Sequence, residues 1–379
     1  MKVLVLFPYP VEPDGISIQG YLLYKGLLEA GVNAVPCHHR DSLQKEFYLR
    51  HFKPDVVIGI GFWGNVPDIL REPLKWGSTV IPWFNSDGWV ANYQNEFNQL
   101  KLMFTTSEWV RSVYDRDGVD ITKIVPMHVG IDTDNYKPIR DNEINLAMRR
   151  MLGVRDNEIM ILTMGGDVTS KGAQEMMHAL AKIDKDFKEW RYVCKCWPSE
   201  GSHEWREKEE KLSEELGIRE KVIFLDGEWS PEFMANILNA CDIYAAPSRI
   251  EGFGMIQAEA MACGKPIISI NKGGPSEFIE HGKTGFLAEV AEEIKLTEEW
   301  AYPSMGYATT QIIKFNSPKT FAYRANIDDL EKYTKELINN PELRRTMGEE
   351  GRKYVVENLD YRVVARKMLN VIKERLDIS

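Results

Sequence analysis

The sequence predicts an α/β protein built from two doubly wound domains. Short apolar runs alternate with helix-period segments along most of the chain, the pattern of parallel sheets covered on both faces by helices. The alternation comes as two series, parted by a polar stretch at 137–157. The length of 379 residues exceeds what one hydrophobic core organises, since about 150 residues per domain points to two or three domains.

Residues 3–7 form a continuous apolar run, as in a strand buried on both faces. Residues 18–30 place Ile18, Leu22, Leu23, Leu27 and Leu28 at helical spacing, and Gly31 stops them. Further strands are predicted at 55–60, 78–84 and 101–107, and Ser107 can cap a helix over 108–115. The second series predicts strands at 159–164, 191–196, 222–225, 242–246 and 266–270, with helices at 173–183, 204–216, 231–240, 255–263 and 275–281. The segment 289–327 fits neither pattern and reads as an insertion, since a structureless connection of that length is rare inside a compact domain. Helical periodicity returns over 328–376. The domains are therefore expected at 1–150 and 151–359, with a last helix at 360–379 joined to the first.

Composition excludes several classes. At 44% hydrophobic and 27% charged the chain is neither disordered nor a disulfide-stapled miniature. With 47 Lys and Arg against 57 Asp and Glu, the formal charge of −10 gives no general attraction to nucleic acid or an anionic membrane. The cysteines Cys37, Cys194, Cys196, Cys241 and Cys263 are odd in number and lack zinc-like spacing, so they read as reduced core residues. The opening MKVLVLFPYP is too short for a secretory apolar segment, and no run reaches the length of a membrane span. A cytoplasmic protein is expected.

Ligands of open α/β sheets bind at the carboxyl ends of the strands. The strongest signal there is PSRIEGFGMIQAEAMACGKPIISINKGGPSEF at 247–278. Gly252-Phe253-Gly254 lets the backbone come close to a ligand, and a helix opens near Met255. A helix start offers N–H groups and partial positive charge to phosphate. Glu251 and Glu259 flank it, and ionised carboxylates accept hydrogen bonds from sugar hydroxyls. A pyrophosphate between two carbohydrate rings fits this layout.

The Glu251…Glu259 spacing around GFG resembles the donor-site motif of retaining nucleotide-sugar glycosyltransferases of the GT-B fold. Its continuation AEAMACGKPIISINKGGPSEFIEHGKTGFL resembles glycosyltransferase family 4. VPMHVGIDTDNYKPI (125–139) and LTMGGDVTSKGAQEMMHAL (162–180) are similar to further family segments. The resemblance implies two Rossmann-like domains facing across a cleft, with Glu259 on the ribose and Glu251 on the donor sugar. It also implies the backbone of Phe253, Gly254 and Met255 on the sugar and β-phosphate, Lys171 with Gly165 and Gly166 at the diphosphate, and Gly15 close to that phosphate. No metal or other cofactor is implied.

Two departures stand out. The family's phosphate-binding Arg is replaced by Gly166, with Arg249 as a conceivable substitute, and DGIS at 14–17 stands where a glycine pair is common. In NSDGW (85–89), Asp87 is the candidate near the reacting sugar, with Asn85 and Trp89 beside it as acceptor contacts. His128 is a further candidate. GIGFWG (59–64) matches a dinucleotide fingerprint but lacks a well-spaced acid, and DTD (132–134) and DRD (115–117) are not expected to hold metal.

The expected activity is transfer of a hexose, with retention, from a nucleotide-diphosphate sugar to a soluble hydroxyl acceptor. A same-fold epimerase, a phosphorylase or a non-catalytic nucleotide-sugar binder are the alternatives. The base, the sugar, the acceptor and the oligomeric state are not legible.

Overall fold

The computed structural model describes residues 1–377 other than Asp87, Arg140 and Ser199, and only the backbone of 200–204. The chain divides into two compact units. The first comprises 1–130, 295–321 and 358–379, and the second 131–294 and 322–357.

The first unit holds β1 (Lys2–Phe7), β2 (Asn33–His38), β3 (Val56–Phe62), β4 (Val80–Asn85), β5 (Met103–Thr105) and β6 (Ile124–Pro126). They pair in parallel in the order β2-β1-β3-β4-β5-β6. Val3 to Phe7 are fully buried, which is why their sequence is apolar without alternation. β2 escapes sequence detection because Pro36 interrupts it, and the sheet tolerates that proline because β2 is an edge strand. Asp14 caps the helix Gly15–Glu29 by accepting from the N–H groups of Ile16 and Ser17. The helix Tyr361–Leu376 packs on that helix: a Cβ at Gly26 would lie 2.7 Å from Ala365 Cβ, and the Tyr361 hydroxyl donates to Glu29 at 2.5 Å.

The second unit holds β7 (Ile159–Met164), β8 (Trp190–Cys196), β9 (Val222–Asp226), β10 (Ile243–Ala245), β11 (Ile267–Ile270) and β12 (Gly285–Ala288). This parallel sheet runs β12-β11-β10-β7-β8-β9. The chain leaves β7 toward β8 and β9, then returns to β10 on the other side, so β7 and β10 bound a topological switch point.

The first unit ends at Gly130, earlier than the expected 150. Residues 142–151, read as part of a polar junction, form a helix of the second unit. Arg149, 7% exposed, anchors it by donating to Asp242 at 2.8 Å and to the Ala240 carbonyl at 3.0 Å.

The irregular segment is a two-stranded ribbon of β13 (Val290–Ala301) and β14 (Gln311–Ala325). Asn316-Ser317-Pro318 reads as a strand breaker, yet a two-stranded ribbon has only edges and accommodates the proline. Its residues 295–321 belong to the first unit. There Phe315 and Phe321 meet Trp89 with ring centroids 5.2 and 6.2 Å away, and Tyr307 donates to the Ala91 carbonyl at 2.7 Å.

Candidate functional site

The switch point of the second unit builds the site from two loops. The first, 165–172, leaves β7. The Gly165 N–H donates to the Lys195 carbonyl at 3.1 Å, and the Gly166 carbonyl accepts from Trp197 at 3.0 Å. Asp167 closes the turn by accepting from the Ser170 N–H at 2.6 Å and its hydroxyl at 2.9 Å. Gly172 opens the helix Ala173–Ile183 at φ +82°, and a Cβ there would lie 2.3 Å from the Pro247 carbonyl oxygen. Only glycine meets both conditions. The close approach sets this turn against the second loop, where the Arg249 N–H donates to the Ser170 carbonyl at 2.8 Å.

The second loop, 246–254, follows β10. It brings Glu251 to Lys171, with Nζ to Oε2 at 2.6 Å and side chains 18% and 22% exposed. The Glu251 carbonyl accepts from the Gly274 N–H at 2.9 Å, which fixes the loop from its other side. Gly254, at φ +101°, opens the helix Met255–Ala262, and a Cβ there would sit 2.1 Å from Gln257 Oε1. Gln257 donates to the Ala246 carbonyl at 2.6 Å and ties the helix start to the end of β10. The Phe253 ring is buried against Phe278 with centroids 5.1 Å apart. What residues 253–255 offer a ligand is therefore chiefly backbone at a helix start.

Glu259, one turn inside that helix, is 5% exposed. Burial pushes its carboxyl up to about 8, against the lowering effect of the hydrogen bond from Tyr136. Beside the first loop, Glu209 is buried and accepts from the Thr169 hydroxyl. Burial lifts it to about 7.

Arg249 does not supply a free cation. Its guanidinium is held by Glu175, with Nε to Oε1 at 3.0 Å and Nη2 to Oε2 at 3.1 Å, and by Gln174 at 2.8 Å. Arg324 reaches the same Glu175 at 2.7 Å. Glu175, Glu209, Tyr136 and Lys195 escaped the sequence reading. The one legible signal among them is a lysine inside the otherwise apolar stretch YVCKC at 192–196.

The first-unit candidates are placed as follows. Gly15 is the first residue of its helix rather than a loop residue, and Asp14 already occupies two of that helix's N–H groups. Asn85 ends β4 and accepts from the Thr106 hydroxyl at 3.0 Å. Asp87 lies outside the described residues. Trp89 is 6% exposed, enclosed by Trp63, Phe315 and Phe321, so its ring packs in the core rather than facing an acceptor. His128 is half-buried just after β6. GIGFWG starts inside β3 rather than in a turn, and Gly59 is there because a Cβ would meet Ile69 at 2.0 Å.

Asp132 of DTD caps its own turn, accepting from Asp134 and Asn135 at 3.1 Å, and Asp117 of DRD pairs with Arg116 and Lys319. Among the described residues no group of three or more His, Cys, Asp or Glu is arranged to hold a metal. All five cysteines are buried and free. No described helix is long and apolar enough to cross a membrane.

Residues 146–301 match the family model described as Glycosyl transferases group 1. The D-inositol 3-phosphate glycosyltransferase of Rhodococcus erythropolis is 28% identical over 249 residues, which is 63% of this chain and 54% of that protein. The chain spans about half the length of the curated relatives it matches. Among solved structures, Anabaena HepE in complex with UDP and glucose superposes with a TM-score of 0.74 at 15% identity, covering 99% of this chain and 100% of that one. Sucrose-phosphate synthase from Thermosynechococcus elongatus gives 0.75 at 15% identity, with 100% of both chains covered. With its two six-stranded parallel sheets, the chain has the α/β fold of these GT-B glycosyltransferases.

Proposed function

We propose that this chain is a retaining glycosyltransferase that moves a hexose from a nucleotide-diphosphate sugar to a hydroxyl of a soluble acceptor. The observation that carries the reading is the Lys171–Glu251 pair, set between two glycine-bounded loops at the switch point and beside the Gly254 helix start. The group 1 match over 146–301 covers both loops. HepE, which shares the fold, has been solved with UDP and with UDP-glucose.

In this reading Lys171 turns its ammonium to the diphosphate when the donor arrives, and Glu251 is released to accept hydrogen bonds from the sugar hydroxyls. The N–H groups at Gly254 and Met255 stabilise the charge that grows on the leaving phosphate. Glu259 takes the ribose hydroxyls. The leaving phosphate accepts the acceptor's proton on the face it departs from, which preserves the anomeric configuration. The first unit holds the acceptor, with Asn85 and His128 as its candidate contacts. No metal is required in this scheme, because Lys171 and the helix start supply the positive charge.

The test is to incubate the protein with UDP-, GDP- and ADP-sugars and a panel of small hydroxyl acceptors. Nucleoside diphosphate release and the anomeric signals of the product are then followed. Acceptor-dependent release with a retained configuration is expected. No release and no nucleotide binding with every donor would overturn the reading, and acceptor-free conversion of the donor would replace transfer by epimerisation.

A further inference from the structure

Three cations are buried among the described residues: Lys45, Arg149 and Lys195. Lys45 pairs with Glu72, and Arg149 pairs with Asp242 at 2.8 Å. Lys195 is 2% exposed, and its ammonium forms neither an ion pair nor a hydrogen bond with any described residue. Its ammonium lies over the Trp229 ring, 5.1 Å from the centroid. Burial lowers its proton affinity, and Cys196 and Glu228 offset this only through space. A buried ammonium with no ion-pair partner among the described residues works against folding, so its presence asks for a reason outside the empty protein.

Its position supplies one. Lys195 is the penultimate residue of β8, at the carboxyl edge where open sheets take their ligands. Its carbonyl holds the Gly165 N–H, and Trp197, two residues on, holds the Gly166 carbonyl. The residue is thus fastened to the turn that carries Lys171. Trp229 is itself fixed, since a Cβ at Gly227 would lie 2.6 Å from its Nε1 and Phe233 meets its ring edge-on at 5.3 Å. Charge balance points the same way. Lys171 and Glu251 cancel each other, Arg249 is neutralised by Glu175, and a nucleoside diphosphate brings several negative charges.

We infer that Lys195 is the second cation of the donor site, leaving the Trp229 face to bind the diphosphate of the incoming nucleotide above Gly165 and Gly166. This rests on the proposed nucleotide-sugar reading and adds to it the residue that completes the charge. Trp229 would serve as the resting place of the ammonium while the site is empty.

The experiment measures binding of UDP, UMP and inorganic pyrophosphate by calorimetry, and thermal melting, for the wild type, Lys195→Met and Lys195→Arg. Lys195→Met should lose about 10- to 100-fold in UDP affinity, as expected for one charge-assisted hydrogen bond. It should lose less for UMP, and Lys195→Arg should recover most of the affinity. Without ligand, Lys195→Met should melt at or above the wild-type temperature, which also establishes that it folds. A wild type that binds UDP alongside a Lys195→Met variant that binds it equally well overturns this inference and leaves the nucleotide-sugar reading intact. Equal losses for UDP and UMP also overturn it, placing the lysine on the nucleoside. A wild type that binds none of the three probes, nor GDP or ADP, overturns both.

Discussion

Lys171 Nζ lies 2.6 Å from Glu251 Oε2, a contact between residues 80 positions apart in sequence. Each compensates the other's charge. Lys171→Ala and Glu251→Ala should each lower turnover by about 10²–10³-fold, the loss typical of removing one preorganised electrostatic contact. Their effects should be non-additive, with a coupling of about 0.5–3 kcal/mol in a double-mutant cycle on kcat/KM. Wild-type turnover in either variant, with folding confirmed by circular dichroism, would remove these residues from the reaction.

Glu259 predicts a pH dependence. Its carboxyl is raised by burial to about 8, despite the hydrogen bond from Tyr136, whereas an unfolded Glu titrates near about 4.3. The folded chain therefore holds the extra proton between those values. The sign follows: this contribution to stability is complete below the unfolded value and is lost as pH rises through the folded one. Urea unfolding from pH 5 to 8.5 should show the wild type losing stability relative to Glu259→Gln, which cannot ionise. Curves that run parallel would contradict the raised carboxyl. Binding ribose to an ionised Glu259 should also release a proton, visible at pH 6.5 as a dependence of binding heat on the buffer's ionisation enthalpy.

Gly172 and Gly254 are both in the left-handed region, at φ +82° and +101°, and in both a Cβ would meet an atom within 2.3 Å. Gly172→Ala faces backbone, the Pro247 carbonyl, which cannot yield without moving the loop. Gly254→Ala faces the end of the Gln257 side chain. Both should destabilise by more than the roughly 1–2 kcal/mol of left-handed strain alone, and Gly172→Ala should cost more. Donor affinity should fall with it, since the Lys171 turn is set by that approach. A Gly172→Ala variant as stable as the wild type would show that the two loops are not so tightly joined.

Asp117 ties the ribbon to the first unit's loop. Its carboxylate pairs with Arg116 and Lys319 at 2.8 and 2.7 Å and accepts from the Val90 N–H at 2.7 Å. Burial alone would raise it, but these three partners hold it below the usual range. Its stabilising effect is thus present at neutral pH and lost as pH falls through the depressed folded value. Lys319→Ala should lower stability at pH 7 and lose that effect in strong acid. Trp89→Ala, which empties the space beside Phe315 and Phe321, should cost about 3 kcal/mol or more. Acceptor KM should rise in both while donor KM stays constant. A change in donor KM alone would detach the ribbon from the acceptor side.

The central strands were legible because burial on both faces leaves no room for polar residues, as in Val3 to Phe7 and Ile159 to Met164. Three of the four edge strands were not, β9 at Val222–Asp226 being the exception. β2 carries Pro36, β6 has three residues and β12 starts on Gly285, so none offers a long apolar run. The site divides in the same way. Glu251, Gly254 and Glu259 stand within one strand–loop–helix unit, so their spacing alone brings them near one another. Arg249 sits in that same loop, yet its partner is Glu175 of another helix, and no local pattern predicts which carboxylate a guanidinium will meet.

By itself, then, the sequence determined the two doubly wound sheets, the glycine-bounded loops at the switch point and the acids and lysine they carry. These depend on burial periodicity and backbone freedom, which are local properties. Tertiary structure alone decided the ionic state of the site. Lys171 is neutralised by Glu251, Arg249 is claimed by Glu175, Glu259 is pushed toward its protonated form, and Lys195 lies over the Trp229 ring with no ion pair among the described residues. The physical reason is that a charge is set by what packs around it, and in a parallel sheet those neighbours come from strands and helices distant along the chain.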